Sequence, residues 1–171
     1  MKSYNKLRKE IQILVLGLDN SGKTTLVDCL VGTNHYGAPT PGLIVTNINI
    51  CGINLNIIDM PSRKFFYQYW HYYYEGTDAI IFMIDGSDDG RIEEVKECFQ
   101  KLLKEKNLKN VPILTYDNKA DLMDCLGPDE IIDKLEMYDI EGRDWAIYDC
   151  SALKDNGIKE GIKWLFEKLS E

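Results

Sequence analysis

The sequence lacks the cysteine pattern of a disulfide-linked or zinc-binding domain. Its five cysteines are an odd number and contain no Cys-x-x-Cys pair, which argues against both kinds of site. It also lacks a signal peptide and an apolar run long enough to span a bilayer. Residue 2 is Lys, and the last three residues are Leu169, Ser170 and Glu171, so we expect neither a myristoyl nor a prenyl group. These absences favour a reducing, cytoplasmic setting with at most peripheral membrane contact.

An excess of basic residues is missing as well. The chain has 20 Lys and Arg against 28 Asp and Glu, a formal net charge of −8. Binding DNA or RNA requires a basic surface, so we exclude nucleic acid as the main partner. Basic residues do gather at the start, where a solvated tail is favoured over contact with anionic lipid: Lys2, Lys6, Arg8 and Lys9. We therefore treat residues 1–10 as a short basic lead-in.

The sequence does contain a regular alternation of strand-like and helix-like segments. Its 171 residues suffice for one domain, which we expect over residues 11–171. Short apolar runs predict strands at Ile11–Leu16, Ile44–Ile50, Ile53–Ile58, Ala79–Ile84, Val111–Tyr116 and Ala146–Cys150. Helical spacing predicts helices at Lys23–Val31, Ile92–Lys104 and Pro128–Leu135, and a terminal helix with its inner face at Ile158, Ile162, Leu165, Phe166 and Leu169. The pattern predicts an α/β fold, with a mostly parallel six-stranded sheet, one antiparallel hairpin and helices on both faces.

The first predicted strand and helix are joined by the pattern Gly-x-x-x-x-Gly-Lys-[Ser/Thr]. Gly17 and Gly22 permit a backbone whose N–H groups point at phosphate oxygens, and the helix N-terminus adds its positive dipole end. Lys23 is the cation expected at the β- and γ-phosphates, and the Thr24 hydroxyl is placed to bind Mg²⁺. A glycine-rich turn without function is the alternative, which the strand–loop–helix context disfavours. The predicted phosphate site comprises Gly17, Asp19, Asn20, Ser21, Gly22, Lys23, Thr24 and Thr25.

A second motif, Asn118-Lys119-Ala120-Asp121, follows the fifth predicted strand and selects guanine. Guanine presents N1–H and a 2-amino group side by side, and the Asp121 carboxylate can accept both hydrogen bonds. We expect Asn118 to tie this loop to the phosphate loop, and the Lys119 stem to cover the ring. Ser151-Ala152 follows the last strand, where the Ala152 N–H is predicted to meet guanine O6. An ordinary polar turn and a P-loop kinase are the alternatives, and the pairing of the two motifs disfavours both.

These motifs resemble those of the Ras-like small GTPases, and more narrowly of the Arf and Arf-like branch. The resemblance runs from about Leu7 onward and includes a switch I-like Pro39-Thr40-Pro41-Gly42, Trp70–Tyr73 after switch II, and Gly161–Leu165 in the final helix. It implies GTP or GDP with Mg²⁺, with Thr40 contacting the ion and the γ-phosphate and Asp59 holding the ion through water. Lys23 and Thr40 would then be the catalytic residues. The implied function is a monomeric switch that recruits effectors in membrane, vesicle or ciliary trafficking.

Switch II departs from that family pattern. The family reads Asp-x-Gly-Gly-Gln, whereas this chain reads Asp59-Met60-Pro61-Ser62-Arg63. Ser62 keeps the N–H that would meet the γ-phosphate but loses glycine's torsional freedom, and Pro61 stiffens the turn. Arg63 has donors only, so it cannot accept a hydrogen bond from the attacking water as glutamine does. We expect slow or impaired GTP hydrolysis, and a non-cycling, nucleotide-bound interaction module is the alternative.

Residues 65–74 contain eight aromatic side chains. On a helix Phe66, Trp70 and Tyr73 share one stripe, which favours core packing. Tyr67, Tyr69 and Tyr72 cannot all face that core, so they are candidates for a partner surface. The resemblance adds Leu43, Ile58 and Tyr73 as the patch that reads the nucleotide state. The predicted surface for effectors and regulators covers switch I, the hairpin and switch II: Leu43, Ile58, Tyr67, Tyr69, Trp70 and Tyr73.

Overall fold

The structure is a computed structural model that describes residues 10–33, 42–50 and 52–171. The predictions for the basic residues Lys2, Lys6, Arg8 and Lys9, and for Thr40 in switch I, lie outside these ranges. The first strand begins at Glu10, one residue inside the lead-in that we assigned to residues 1–10. None of the helices within the described ranges is long and apolar enough to cross a membrane.

The order of elements follows the predicted alternation. The strands are β1 (Glu10–Gly17), β2 (Ile44–Ile50), β3 (Ile53–Asp59), β4 (Ala79–Asp85), β5 (Ile113–Asn118) and β6 (Trp145–Cys150). The α-helices are α1 (Lys23–Val31), α2 (Ile92–Leu103), α3 (Pro128–Leu135) and α4 (Ile158–Leu169). A longer 3-10 helix covers Lys64–Tyr73, and shorter ones lie at Asp89–Arg91, Lys106–Leu108, Met137–Asp139 and Ala152–Lys154.

One boundary differs in a way that matters for the site. We predicted the fifth strand at Val111–Tyr116, but β5 runs from Ile113 to Asn118. The parallel pairing with β6 continues through Asp117 and Asn118, which lie opposite Asp149 and Cys150. The base-reading motif therefore begins within the sheet, so Asn118 is held by strand hydrogen bonds rather than by a free loop.

The six strands form one sheet in the order β2-β3-β1-β4-β5-β6. Only β2 and β3 pair antiparallel, and the other neighbours are parallel, which confirms the predicted mixed sheet. Because β1, β3, β4, β5 and β6 are parallel, their carboxyl ends meet at one edge, where α/β folds commonly bind ligands. Both sequence motifs begin at the last residue of a strand that ends at this edge, Gly17 in β1 and Asn118 in β5.

Helices cover both faces of the sheet, as predicted. One buried cluster joins the sheet to α2, α3 and the 3-10 helix, and includes Leu14, Phe82 and Phe99. The other joins it to α1 and α4, and includes Val15 and Leu165. Adjacent β1 residues thus point into opposite layers, both closed, which is the burial expected of a parallel strand.

The aromatic segment corrects part of the predicted partner surface. Trp70 and Ile58 are 3% and 5% exposed, because both pack into the layer beneath α2. The burial of Trp70 confirms the core packing predicted from the helical stripe, and it contradicts the placement of Trp70 and Ile58 in the predicted partner surface. Tyr67 and Tyr73 are half-buried against the same layer. Leu43, Tyr69 and Tyr72 are exposed, and so is Phe65, which the helical stripe did not single out.

Candidate nucleotide-binding site

A cavity of about 570 Å³ opens at the carboxyl edge of the sheet, within the size range of small-ligand sites. It brings together residues predicted from four separate segments of the chain: Asp19, Asn20, Gly22, Lys23, Thr24, Thr25, Asp59, Ser62, Arg63, Asn118, Lys119, Asp121 and Ser151. Gly17, Ser21 and Ala152 are not part of its lining, and Thr40 lies outside the described ranges. Met60, Pro61, Phe66, Leu122 and Leu153 also line it.

The two motif glycines are needed where the phosphate loop passes close to its neighbours. Gly17 has φ +141° and Gly22 has φ +92°, conformations that side-chain-bearing residues rarely adopt. A Cβ at Gly17 would collide with the Met83 carbonyl oxygen, and one at Gly22 with Asn118 Nδ2. The loop is therefore packed between β4 and β5, and its path depends on both glycines.

Lys23 is held inside this loop. Its Nζ donates to Leu18 O at 2.7 Å and to Ser21 Oγ at 3.4 Å, and the residue is 5% exposed. Burial lowers the pKa of Lys23 to about 8, although the nearby Asp59 and Asp19 carboxylates act in the opposite direction. An anionic ligand at this position would raise that pKa again and stabilise the charged ammonium group, as expected of a phosphate site.

Thr24 and Asp59 supply the oxygen ligands that suit a magnesium ion. Thr24 Oγ1 lies 2.5 Å from Asp59 Oδ2, and Asp59 is 1% exposed. Mg²⁺ is usually held by one or two carboxylates together with substrate phosphates. With one hydroxyl and one carboxylate, the pair suits an ion shared with a nucleotide. When bound, the ion would neutralise phosphate charge.

Asn118 connects the base loop to two other loops. Its Nδ2 donates to Ser21 O at 2.8 Å, and its Oδ1 accepts from the Ala152 N–H at 2.9 Å. The first bond is the tie to the phosphate loop that we predicted. The second means that the N–H we predicted for guanine O6 is already used, and Ala152 is only 4% exposed. Ser151 and Leu153, rather than Ala152, border the cavity.

The two charged residues of the base motif each have an ionic partner. Asp121 Oδ2 lies 3.0 Å from Lys154 Nζ, and hydrogen bonds from Ser151 and Lys154 lower the pKa of Asp121. This carboxylate therefore stays ionised and can only accept hydrogen bonds, as reading guanine requires. Lys119 adopts φ +69°, and its Nζ lies 2.5 Å from Asp85 Oδ2 at the end of β4.

Switch II is anchored at two points just before Arg63. The Met60 N–H donates to Val15 O at 3.1 Å, which continues the pairing of β3 with β1. The buried Trp70 indole donates to the Pro61 carbonyl oxygen, also at 3.1 Å. Arg63 itself is exposed and borders the cavity. The segment that differs from the family pattern is thus anchored at Met60 and Pro61, and it borders the cavity through to Arg63.

One cation at the phosphate loop was not found from the sequence. Arg91 Nη1 lies 2.9 Å from Asp19 Oδ1, and Nη2 donates to Asp19 O at 3.2 Å. Its Nε donates to Asp88 Oδ2 at 2.6 Å. Arg91 and Asp19 are 72 residues apart, so no local motif could have revealed the pair.

The comparisons with known proteins agree with this geometry. The profile of the ADP-ribosylation factor family matches residues 1–169. The chain belongs to the ADP-ribosylation factor family. It is 37% identical to ADP-ribosylation factor-like protein 3 of Chlamydomonas reinhardtii over 99% of this chain and 96% of that protein. It is 40% identical to the protein of the same name from Caenorhabditis elegans, over 94% of this chain and 89% of the relative.

A solved structure supports the same assignment. The Arl6 (BBS3) small GTPase of Trypanosoma brucei, solved with the bound nucleotide analogue GppNp, superposes with a TM-score of 0.88. The two sequences are 31% identical, and the match covers 94% of this chain and 98% of the other. The chain is therefore an Arf-family small GTPase that binds guanine nucleotide, from a family of GTP hydrolases.

Proposed function

We propose that this Arf-family protein is a guanine-nucleotide switch that binds GTP or GDP with Mg²⁺ and hydrolyses GTP slowly. The observation that carries the proposal is Arg63, which borders the same cavity as Lys23 and Thr24. A glutamine there can accept a hydrogen bond from the attacking water and donate another at once, whereas a guanidinium group can only donate. Arg63 can stabilise charge on the γ-phosphate without orienting the water.

The preceding residues add a second obstacle to hydrolysis. Trp70 fixes the Pro61 carbonyl, and Pro61 has no N–H and a restricted φ. Ser62 can therefore offer its N–H to a γ-phosphate, but the Pro61-Ser62 backbone is stiffer than the Gly-Gly backbone of the family pattern. Replacing Arg63 alone is not expected to restore a full rate.

Nucleotide retention is supported by a different set of residues. Lys23, Thr24 and Asp59 form the phosphate and metal end, while Asn118 and Asp121 form the base end. The proposed nucleotide-binding set is Gly17, Asp19, Asn20, Ser21, Gly22, Lys23, Thr24, Thr25, Thr40, Ser62, Asn118, Lys119, Asp121, Ser151 and Ala152, with Thr40 carried by the family pattern alone and Ala152 by its position after the last strand alone. A switch of this kind would remain in its GTP form until another protein accelerated hydrolysis.

An aromatic ridge gives effectors a surface next to switch II. Phe65, Tyr69 and Tyr72 are 66%, 40% and 69% exposed, and the rings of Tyr69 and Tyr72 stack with centroids 6.4 Å apart. The 3-10 helix that carries them begins at Lys64, directly after Arg63. A change in switch II on nucleotide exchange would therefore move the ridge. We propose that effectors in membrane, vesicle or ciliary trafficking bind here and at Leu43.

The proposal is tested by single-turnover hydrolysis of Mg²⁺–GTP by the purified chain. We expect tight binding and a rate well below that of a family member with the Gly-Gly-Gln sequence. A triple variant, Pro61→Gly with Ser62→Gly and Arg63→Gln, should approach the rate of such a relative. A wild-type rate equal to that relative's would contradict the proposal.

The anchored switch II also favours a second candidate, a module that holds one nucleotide permanently. Identifying the nucleotide in freshly purified protein and measuring its exchange separates the two. Exchange accompanied by altered Trp70 fluorescence supports the switch. Retained GTP that neither exchanges nor turns over supports the permanent module.

A further inference from the structure

A fully buried carboxylate lies directly behind the base-reading loop. Asp117, the residue before Asn118, is 0% exposed. Its Oδ1 receives one weak hydrogen bond, from Cys125 Sγ at 3.8 Å, and its Oδ2 has no hydrogen-bond partner among the described residues. Gly86 is packed against it, since a Cβ at Gly86 would collide with Asp117 Oδ1. Buried carboxylates normally have several partners, so this one calls for an explanation.

The charged groups around Asp117 disfavour its ionised form. Asp149 lies opposite it in β6, Asp85 is at the end of β4, and Glu130 is on α3; all three act on it as negative charges. The Cys125 thiol also faces it, whereas the Cys150 thiol donates to Asn118 Oδ1 at 3.5 Å. The nearby Lys119 ammonium group is paired with Asp85. Burial, followed by Asp149, raises the pKa of Asp117 to about 7, so its proton is exchanged near neutral pH.

The segment that covers Asp117 is the one that would hold guanine. The Gly86 N–H donates to Asn118 O at 2.9 Å, and the Leu126 N–H donates to Gly86 O at 2.8 Å. Between these two bonds the chain passes through Lys119, Asp121 and Cys125. Movement of the segment 119–126 away from Gly86 would admit water to Asp117, and the same movement would displace Asp121 from the base.

We propose that Asp117 makes guanine-nucleotide retention proton-linked, with the neutral carboxyl favouring the closed segment 119–126 and the ionised carboxylate favouring its opening. The inference rests on the proposed binding of guanine nucleotide at this site. An ionised carboxylate gains hydration only when the segment opens, so deprotonation speeds nucleotide release. By linkage, nucleotide binding near neutral pH draws a proton onto Asp117.

The test measures the dissociation rate of mant-GDP between pH 6 and pH 8 in the wild type and in Asp117→Asn. Asn is nearly isosteric and cannot ionise. Lys23 and the nucleotide phosphates also titrate here, but they do so equally in both proteins, so the ratio of the two rates isolates Asp117. We expect the ratio of the wild-type rate to the Asp117→Asn rate to rise about fivefold over the range, well within the limit of about tenfold per pH unit that one titrating proton sets.

Two further variants sharpen the result. Asp149→Asn removes the negative charge that acts most strongly on Asp117. The dissociation rate of mant-GDP should therefore still change with pH, but the midpoint of that change should move to lower pH. Asp133→Asn, an exposed carboxylate on α3, should leave the profile unchanged. Calorimetry of GDP binding at pH 7, in buffers of different ionisation enthalpy, should show proton uptake in the wild type and less in Asp117→Asn.

The possible outcomes distinguish the proton linkage from the proposed binding of guanine nucleotide. Superimposable wild-type and Asp117→Asn profiles, with mant-GDP bound normally, would overturn the proton linkage and leave nucleotide binding intact. Failure of every variant to bind mant-GDP at any pH would overturn the proposed function itself. If Asp117→Asn does not fold, the Asp149→Asn midpoint decides, since an unmoved midpoint contradicts the role of Asp117.

Discussion

The two sides of the nucleotide cavity are built in different ways. On the binding side, glycines without room for a side chain, a buried lysine and the Asn118 hydrogen bonds fix three loops against the sheet. On the switch II side, the family's flexible Gly-Gly-Gln is replaced by a proline, a serine and an arginine, anchored through the Trp70 indole. Holding a nucleotide and hydrolysing it thus depend on separate residues. Mutations should be able to remove one property and leave the other.

The largest effect is expected from Asp121→Asn on the binding side. The amide keeps one acceptor but presents an amino group to guanine's own donors, so GDP affinity should fall about a thousandfold. Xanthine has an oxygen in place of the 2-amino group, so XDP should bind the variant better than GDP. Both are measured by competition against mant-nucleotides, with Asp139→Asn as a control remote in sequence. Unchanged GDP affinity would remove Asp121 from the base site.

The next effect should come from Asn118→Ala, which tests the tie between the loops. The substitution leaves the Ser21 carbonyl and the Ala152 N–H without their partner, at a cost of about 2–3 kcal/mol. GDP affinity should fall about a hundredfold, measured by titration with mant-GDP. The exposed Asn110→Ala is the matched control. A loss below about threefold would mean that the loops are held together by other contacts.

The sequence was sufficient to predict the residues of the binding side, because the motifs there are local. Gly17 to Thr25 and Asn118 to Asp121 each have the correct residue types at fixed spacing, next to a predictable strand. The sequence was not sufficient where the decisive contact is long-range. The Arg91–Asp19 pair and the hydrogen bond from Trp70 to Pro61 depend on how β3, β4 and α2 meet. Asp117 lay beyond the predicted end of its strand at Tyr116, and only the pairing with β6 places it within the sheet. Ile58 and Trp70 were misassigned to the surface for the same reason, since apolar residues beside a switch can face either way.

A smaller effect is expected from Arg63→Gln, which tests the switch II side. Glutamine restores a group that can accept from the attacking water, but Pro61 and Ser62 still restrict the backbone. Single-turnover hydrolysis of GTP should therefore rise about tenfold, equivalent to about 1.4 kcal/mol in the barrier, with GDP affinity unchanged. Arg63→Ala is the control, because it removes the guanidinium without adding an acceptor. Equal rates for the two variants would show that Arg63 is not what limits hydrolysis.

The smallest effect should come from Trp70→Phe, which asks whether the rigidity of switch II is built into the fold. Phe keeps most of the apolar volume in the buried layer but cannot donate to the Pro61 carbonyl, now 3.1 Å from the indole nitrogen. Losing one buried hydrogen bond should lower the free energy of unfolding by about 1 kcal/mol, measured by urea denaturation. Trp145→Phe on the edge strand β6 is the matched control, because it makes the same change outside switch II. If the anchor restrains the backbone, Trp70→Phe combined with Arg63→Gln should hydrolyse GTP faster than Arg63→Gln alone. If the double variant loses stability but hydrolyses GTP no faster than Arg63→Gln alone, the hydrogen bond from Trp70 supports the fold only. The rigidity of switch II would then come from Pro61 itself.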